Sequence, residues 1–240
     1  MPSDRIVVPL VIIIVLSACA PPVYTPPAPP EILLVQISPS LAWITTTMNT
    51  CALRYGNIGL VVDEVSHPDP DGESIIIQIG EAGIPANTSY VIGAIDLVII
   101  VNSQNPLDAI DYDTLRSIYD GSISTWQQIG MDAGAIGLWH YPEELDMRKL
   151  TSEALDVTFL PTLPAGIAPN PDAMLALVAN DPNALGYVPI SIVNDSVKTL
   201  SLSGFDASKL NFPILAYSLN ELTSEQKIWL GCLADEVGKQ

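Results

Sequence analysis

An α/β fold, a mostly parallel sheet with helices on both faces, is predicted by three observations. From residue 31 onward, short runs rich in Ile and Val alternate with segments of helical spacing. The longest run past the N-terminal region, Ala94 to Val101, is almost continuously apolar, as a strand buried on both faces must be. Turn-forming clusters separate the runs, most plainly His67-Pro68-Asp69-Pro70-Asp71-Gly72. In such a fold the ligand crevice lies at the C-terminal ends of the strands.

Taken in order, Glu31 to Ile37 reads as a strand. Ser38-Pro39 supplies an N-cap and a proline at the first helical position, so a helix is expected over Ser40 to Cys51. Strands are expected at Ile58 to Val62, Ser74 to Ile79 and Ala94 to Val101, the last at the centre of the sheet. Short helices follow at Asp113 to Tyr119 and Ser124 to Ile129, broken by Asp120-Gly121. Ala135 to Trp139 reads as a strand, Pro142 to Leu155 as a helix opened by a proline, and Asp172 to Asn180 as another helix. Leu185 to Ile190 and Pro213 to Tyr217 are strand candidates, and Thr223 to Val237 closes the chain as an amphipathic helix. No internal repeat is visible.

The N-terminal region has a different character. Met1 to Arg5 carries one early basic residue and leads into the apolar run Ile6 to Leu16, too short for a hydrocarbon core that needs about 20 helical residues. It reads as a signal-peptide h-region over residues 1–18, ending in Leu16-Ser17-Ala18-Cys19, which resembles the lipobox of bacterial lipoproteins. That resemblance implies cleavage before Cys19 and lipidation of its sulfur, placing the chain on the extracytoplasmic side of a cell membrane. Two acyl chains anchor stably where one is marginal. Residues 19–30 are proline-rich and read as an extended tether rising about 3.1 Å per residue.

About 210 residues remain, enough for a sizeable core. The formal net charge of −18 is unchanged by processing, because Asp4 and Arg5 leave together. Such a surface repels nucleic acid and anionic lipid, so neither is expected as a partner; the acidity serves either solubility or an acidic ligand site. With Cys19 lipidated, Cys51 and Cys232 form an even pair outside the cytoplasm, where a disulfide persists, and a bridge between them is a hypothesis of this reading. His67 and His140 stand apart, with no Cys/His cluster at ligand spacing, so no metal or cofactor is implied. Nor does a Gly-x-Ser-x-Gly elbow, a phosphate-cradling glycine loop or a His-Glu pair at metal spacing occur, so an enzyme is not expected.

Two segments carry a family resemblance. Val101-Asn102-Ser103-Gln104-Asn105-Pro106-Leu107, followed by Leu115-Arg116-Ser117-Ile118-Tyr119-Asp120-Gly121-Ser122-Ile123-Ser124-Thr125-Trp126, resembles the crossing strand and helix of phosphate-type periplasmic binding proteins. Asp181-Pro182-Asn183-Ala184-Leu185-Gly186-Tyr187-Val188-Pro189 is similar to the strand that returns from the second lobe in that family. The resemblance implies a two-lobed, periplasmic-binding-protein-like (type II) fold with mostly parallel or mixed sheets flanked by helices. Lobe one is expected over 31–98 plus 198–240 and lobe two over 99–197. It further implies a monomeric solute-binding protein that closes on phosphate or another small solute and presents it to an ABC permease. Tyr119, Gly121, Trp126 and Gly186 are expected to be architectural.

Family sites of this kind dehydrate an oxyanion and surround it with helix N-terminal N–H groups, hydroxyls and an arginine. Ser38, Ser40 and Leu41 are the candidates at the first helix start, although Ser38 serves equally as a simple cap. Gly80 and Glu81 are the candidates for a turn facing the cleft, with Glu81 also readable as a loop charge. In the second lobe the chain departs from the family. Where a serine, glycine and threonine are expected, it has Trp139-His140-Tyr141-Pro142-Glu143-Glu144-Leu145-Asp146-Met147-Arg148. Tyr141, Glu143, Glu144 and Asp146 become the candidates there. The carboxylates suit a helix N-terminus, yet one unit charge about 4 Å from a bound anion costs roughly 4 kcal/mol at an effective dielectric near 20. Arg148 offsets this only if it bends back toward its helix start. Two classes stay open: a transport receptor, for phosphate or, if the acidic group faces the cleft, for a neutral or cationic solute; and a degenerate cell-surface or sensory module that binds no phosphate.

Overall fold

The computed structural model describes residues 29–55, 58–69, 72–81, 88–132, 134–157 and 166–239. Cys19, the signal segment and most of the tether lie outside the described residues.

The chain opens with β1 (Glu31–Ile37), in which Leu33, Val35 and Ile37 alternate inward. Ser38 caps the next turn, its hydroxyl accepting from the Ser40 amide at 3.3 Å. The predicted helix begins as a 3-10 segment, Pro39–Ile44, and becomes α-helical only at α1 (Thr45–Arg54), where Met48, Cys51 and Ala52 face the core. β2 (Ile58–Glu64) and β3 (Ile75–Ile79) pair with β1 on either side, both parallel.

The central strand is much longer than its apolar run. β4 spans Thr88–Asn102, and its two halves have different partners. Thr88 to Asp96 pair with β11 (Asn211–Ser218), antiparallel, with a register shift that leaves Ile92 as the extra residue. Leu97 to Val101 pair with β8 (Ala184–Pro189), also antiparallel, and Ile100 to Asn102 with the short β9 (Val197–Thr199). One strand therefore joins two sets of elements. The order across the sheet is β2-β1-β3-β11-β4-β8-β6-β7, where β6 is Gly137–His140 and β7 is Gly166–Ile167. β11 and β4 run antiparallel to their neighbours while the outer pairs are parallel, so the sheet is mixed. Two small strands missed by the apolar pattern, β5 (Ala109–Asp111) and β10 (Ser201–Ser203), form a separate parallel pair.

The helices beyond β4 follow the expected order. α2 (Tyr112–Tyr119) starts one residue early, capped by Asp111, whose carboxylate accepts from the Thr114 amide at 2.9 Å. The Ser124 to Ile129 helix reduces to a 3-10 turn, Trp126–Ile129. α3 is shorter than expected, Asp146–Leu155 rather than beginning at Pro142. Residues 142–145 form a separate turn, closed by the Leu145 amide on the Pro142 carbonyl at 3.1 Å, so Glu143 and Glu144 precede the helix. α4 (Pro171–Asn180) packs on β8, and α5 (Ser224–Val237) opens with a Thr223/Gln226 capping box.

Cys51 of α1 and Cys232 of α5 are joined by a disulfide, with Cα atoms 5.8 Å apart and a sequence separation of 181. Beside it, the Trp229 indole N–H donates to the Met48 carbonyl at 3.1 Å and Arg54 pairs with Glu236 at 3.1 Å. The asparagines of the first resemblance segment are structural ties. Buried Asn102 donates from Nδ2 to the Val178 and Ala179 carbonyls at the end of α4, and Asn105 donates to the Pro182 carbonyl. Gly186 permits the close seating of α4: a Cβ there would stand 2.6 Å from Met174 Sδ.

Candidate functional site

Three chain segments meet where the two element sets face each other: the β1-to-α1 turn, the end of β3, and the start of α3. Ser40, buried at 1 % exposure, donates its hydroxyl to Asp146 Oδ1 at 2.5 Å, across 106 residues of sequence. The Ile79 amide, at the end of β3, lies 3.4 Å from Asp146 Oδ2, and the Met147 amide donates to Oδ1 at 2.8 Å. One carboxylate carried by α3 thus sits between two donors carried by the other half of the sheet. Gly80 lets the segments close up. Its φ of +85° is in the left-handed region, and a Cβ there would stand 2.8 Å from Leu150 Cδ2 of α3.

Beside this contact is a cavity of about 570 Å³. Its walls come from both sides of the seam, with Ser66, His67, Gln78, Glu81 and Tyr217 on one and Glu143, Glu144, Asp146, Lys149 and Glu153 on the other. Five carboxylates face one ammonium. Gln78 is fixed as a wall residue, donating to the Glu81 carbonyl at 2.6 Å and accepting from the Tyr217 hydroxyl at 3.0 Å. A smaller cavity, about 140 Å³, lies on the other side of Ser40, between Trp43 and the start of α4 at Asn170 to Asp172.

The residues expected from sequence fall into two groups. Ser40, Glu81, Glu143, Glu144 and Asp146 are brought to the seam. Ser38, Leu41 and Tyr141 are placed otherwise, and Gly80 serves the seam by close approach rather than as a donor. Ser38 is occupied as a cap, and the Leu41 amide donates to the Ser38 carbonyl at 2.8 Å while its side chain is fully buried. The Gly80 amide donates to the Pro213 carbonyl at 2.8 Å. Tyr141 is a core residue: its hydroxyl donates to the Tyr187 carbonyl at 2.9 Å and its ring meets Tyr187 edge-on, centroids 5.0 Å apart. Burial, reinforced by neighbouring phenols, pushes the hydroxyls of Tyr119 and Tyr141 well above their usual range; Tyr187 moves the same way, chiefly through burial.

Arg148 does bend back toward the start of α3, but its guanidinium donates to the Tyr141 carbonyl at 2.9 Å and lies 2.9 Å from His140 Nδ1. It does not line the large cavity. Burial holds the His140 imidazole below its ordinary pKa, and the neighbouring Arg148 charge adds to the effect. Among the described residues no group of three or more His, Cys, Asp or Glu is placed to hold a metal ion, and no helix is long and apolar enough to cross a membrane. Besides the Ile79 amide, the wall residues Ser66, His67, Gln78, Lys149, Glu153 and Tyr217 were not among the residues expected from sequence. Backbone donors at strand ends leave no composition signal, and a lone lysine inside a helix carries no binding motif.

A family model described as the PBP superfamily domain matches residues 76–228. The chain belongs to that superfamily. Its fold is similar to that of a protein described as a phosphate ABC transporter substrate-binding protein, with bound phosphate, from Clostridium perfringens: TM-score 0.69, 18% identity, covering 85% of this chain and 93% of that one. It is also similar to an ABC-type phosphate transport receptor from Vibrio cholerae, at TM-score 0.66 and 18% identity over 87% and 96% of the two chains. The reduced form of the OxyR2 regulatory domain from Vibrio vulnificus matches at TM-score 0.59 and 13% identity, over 87% and 96%. At these identities the likeness is one of fold.

Proposed function

We propose that this chain is a solute-binding protein held on the extracytoplasmic face of a cell membrane through lipidated Cys19. It captures a small neutral or cationic solute between two lobes, about 31–98 with 198–240 and 99–197, and presents it to an ABC permease. The observation that carries the ligand class is the wall of the 570 Å³ cavity, where Glu81, Glu143, Glu144, Asp146 and Glu153 face Lys149. A cation gains from that field, and an anion entering it meets repulsion of about 4 kcal/mol for each carboxylate near 4 Å. Support for two lobes comes from β4, whose halves pair with different strands and so form a crossing segment about which the sides can hinge.

A second reading, phosphate or a similar small oxyanion, is favoured by a specific observation: the Ser40 hydroxyl and Ile79 amide already converge on the two oxygens of a carboxylate. The fold neighbours named for phosphate transport add to it. Both readings are tested by thermal shift and calorimetry on the purified protein with inorganic phosphate, sulfate, basic amino acids, polyamines and neutral sugars. Saturation at 100 times the dissociation constant adds about 2.7 kcal/mol of stability. A shift with cationic or neutral compounds alone supports the first reading, a shift with phosphate alone replaces it with the second, and none at millimolar concentrations leaves a cell-surface module without a small ligand. Cys19→Ala is expected to move the protein from the membrane fraction to the soluble extracytoplasmic one.

A further inference from the structure

We infer that Asp146 is a tethered stand-in for an oxyanion: its carboxylate fills the donor seat formed by Ser40 and Ile79, holds the two sides of the seam together without a solute, and keeps free anions out. This rests on reading the seam as a binding cleft. The seat is made by donors from one side only. Ser40 is nine-tenths and more buried, and its hydroxyl has a single proton to donate, which points at Asp146 Oδ1. Ile79 is the last residue of β3, and its N–H is directed across the seam rather than along the sheet. The neighbouring amides are committed elsewhere: Ser38 to Ile77, Ser40 to Ser38, Leu41 to Ser38 and Gly80 to Pro213. An external anion that takes up the Ser40 hydroxyl and the Ile79 amide must therefore displace Asp146.

The acceptor comes from the other side on a rigid support. Asp146 is the first residue of a ten-residue helix, and Met147 fixes its Oδ1 from below. Such a carboxylate competes at an effective concentration in the millimolar range or above, so a free anion of ordinary affinity loses to it. Asp146 is therefore a specificity-determining residue. While it is seated, the remaining carboxylates of the cavity stay free for a cationic or neutral solute.

The test is phosphate binding by calorimetry to the full protein and to Asp146→Ala, Asp146→Asn, Glu153→Gln and the double variant Ser40→Ala with Asp146→Ala. Asp146→Ala is expected to bind inorganic phosphate at least about tenfold more tightly than the unaltered protein, Asp146→Asn less so because its amide oxygen still fills the seat. Ser40→Ala should abolish the gain. Glu153→Gln removes one cavity charge without touching the seat and should raise phosphate affinity by less than Asp146→Ala does. Equal affinity in Asp146→Ala and the unaltered protein, no phosphate binding by either, or an equal gain from Glu153→Gln each overturns the inference. If Asp146→Ala does not fold, hydrogen exchange on the unaltered protein decides: the Ile79 amide is expected to be protected without solute, and free exchange there overturns the seat. A solute screen that finds nothing while Asp146→Ala gains phosphate sinks the transport reading and leaves this inference standing; a cationic solute bound with no gain in Asp146→Ala does the reverse.

Discussion

The two sides of the seam are held together by different means. The side built from β1, β2, β3, β11, α1 and α5 is covalently closed, its first and last helices tied by Cys51–Cys232 and braced by Trp229 on Met48. The side built from β6, β8, α2, α3 and α4 has no cross-link among its described residues and depends on buried aromatics. Trp126 is fully buried with its indole N–H on the Asn183 carbonyl, and Tyr119 and Tyr141 each meet Tyr187 in a T-shaped, edge-to-face contact. At the Asp146 contact the first side offers a hydroxyl and an amide donor, and the second offers the carboxylate. A closed loop restrains the unfolded chain, whereas an aromatic cluster works only in the folded one. The two sides should therefore respond to different insults.

The largest expected effect is on the covalent side. Closing a loop of 181 residues is worth about 5 kcal/mol in the chain-entropy account. Reducing the protein, or replacing both cysteines by serine, should lower the urea midpoint accordingly; a midpoint indifferent to reductant would erase the contrast. Next, Trp126→Ala should cost about 3–5 kcal/mol through the cavity it leaves. Measured with and without reductant, that cost should be the same within about 0.5 kcal/mol, because the two features are separate. Coupling between them would show one cooperative scaffold instead of two.

A smaller effect belongs to the aromatic side alone. Burial raises the phenol pKa of Tyr119, Tyr141 and Tyr187, so above about pH 10 the unfolded chain sheds protons that the folded one keeps. The stability these groups contribute is complete below that pH and is lost as pH rises through their folded values, at up to about 1.4 kcal/mol per pH unit for each phenol. Tyr141→Phe should flatten the alkaline limb of a stability profile, where an unchanged limb would reassign it. The smallest change is at the cap of α5: Thr223→Ala should cost about 1 kcal/mol, read from the thermal midpoint, and should leave any solute affinity unchanged.

Much of the fold could be read in advance because its signals are local. The apolar run of Glu31–Ile37, the Ser38-Pro39 start, the amphipathic spacing of Thr223 to Val237 and the Val101 to Trp126 pattern each involve neighbours in sequence. Element ends that depend on distant partners were less legible. β4 is extended by residues 88–93, whose apolar content is unremarkable and whose strand character comes from pairing with β11. The start of α3 slips from Pro142 to Asp146, where the carboxylate is engaged by Ser40 across the seam. The candidate site divided similarly: Ser40 and the acidic group were visible as residue types, while Tyr141, a candidate from its position in the sequence, packs in the core.

Sequence by itself determined the α/β class, the order of the longer elements, the acidity of the second-side turn and the even pair of cysteines, since each follows from short-range pattern or from counting. Tertiary structure alone decided that Cys51 meets Cys232, that Arg148 is drawn to Tyr141, and that Asp146 lies between Ser40 and Ile79. The physical reason is directional. A hydrogen bond or a disulfide needs two groups a few ångströms apart and correctly aimed, and only the packing of the helices against β4 and its neighbours fixes where those groups stand.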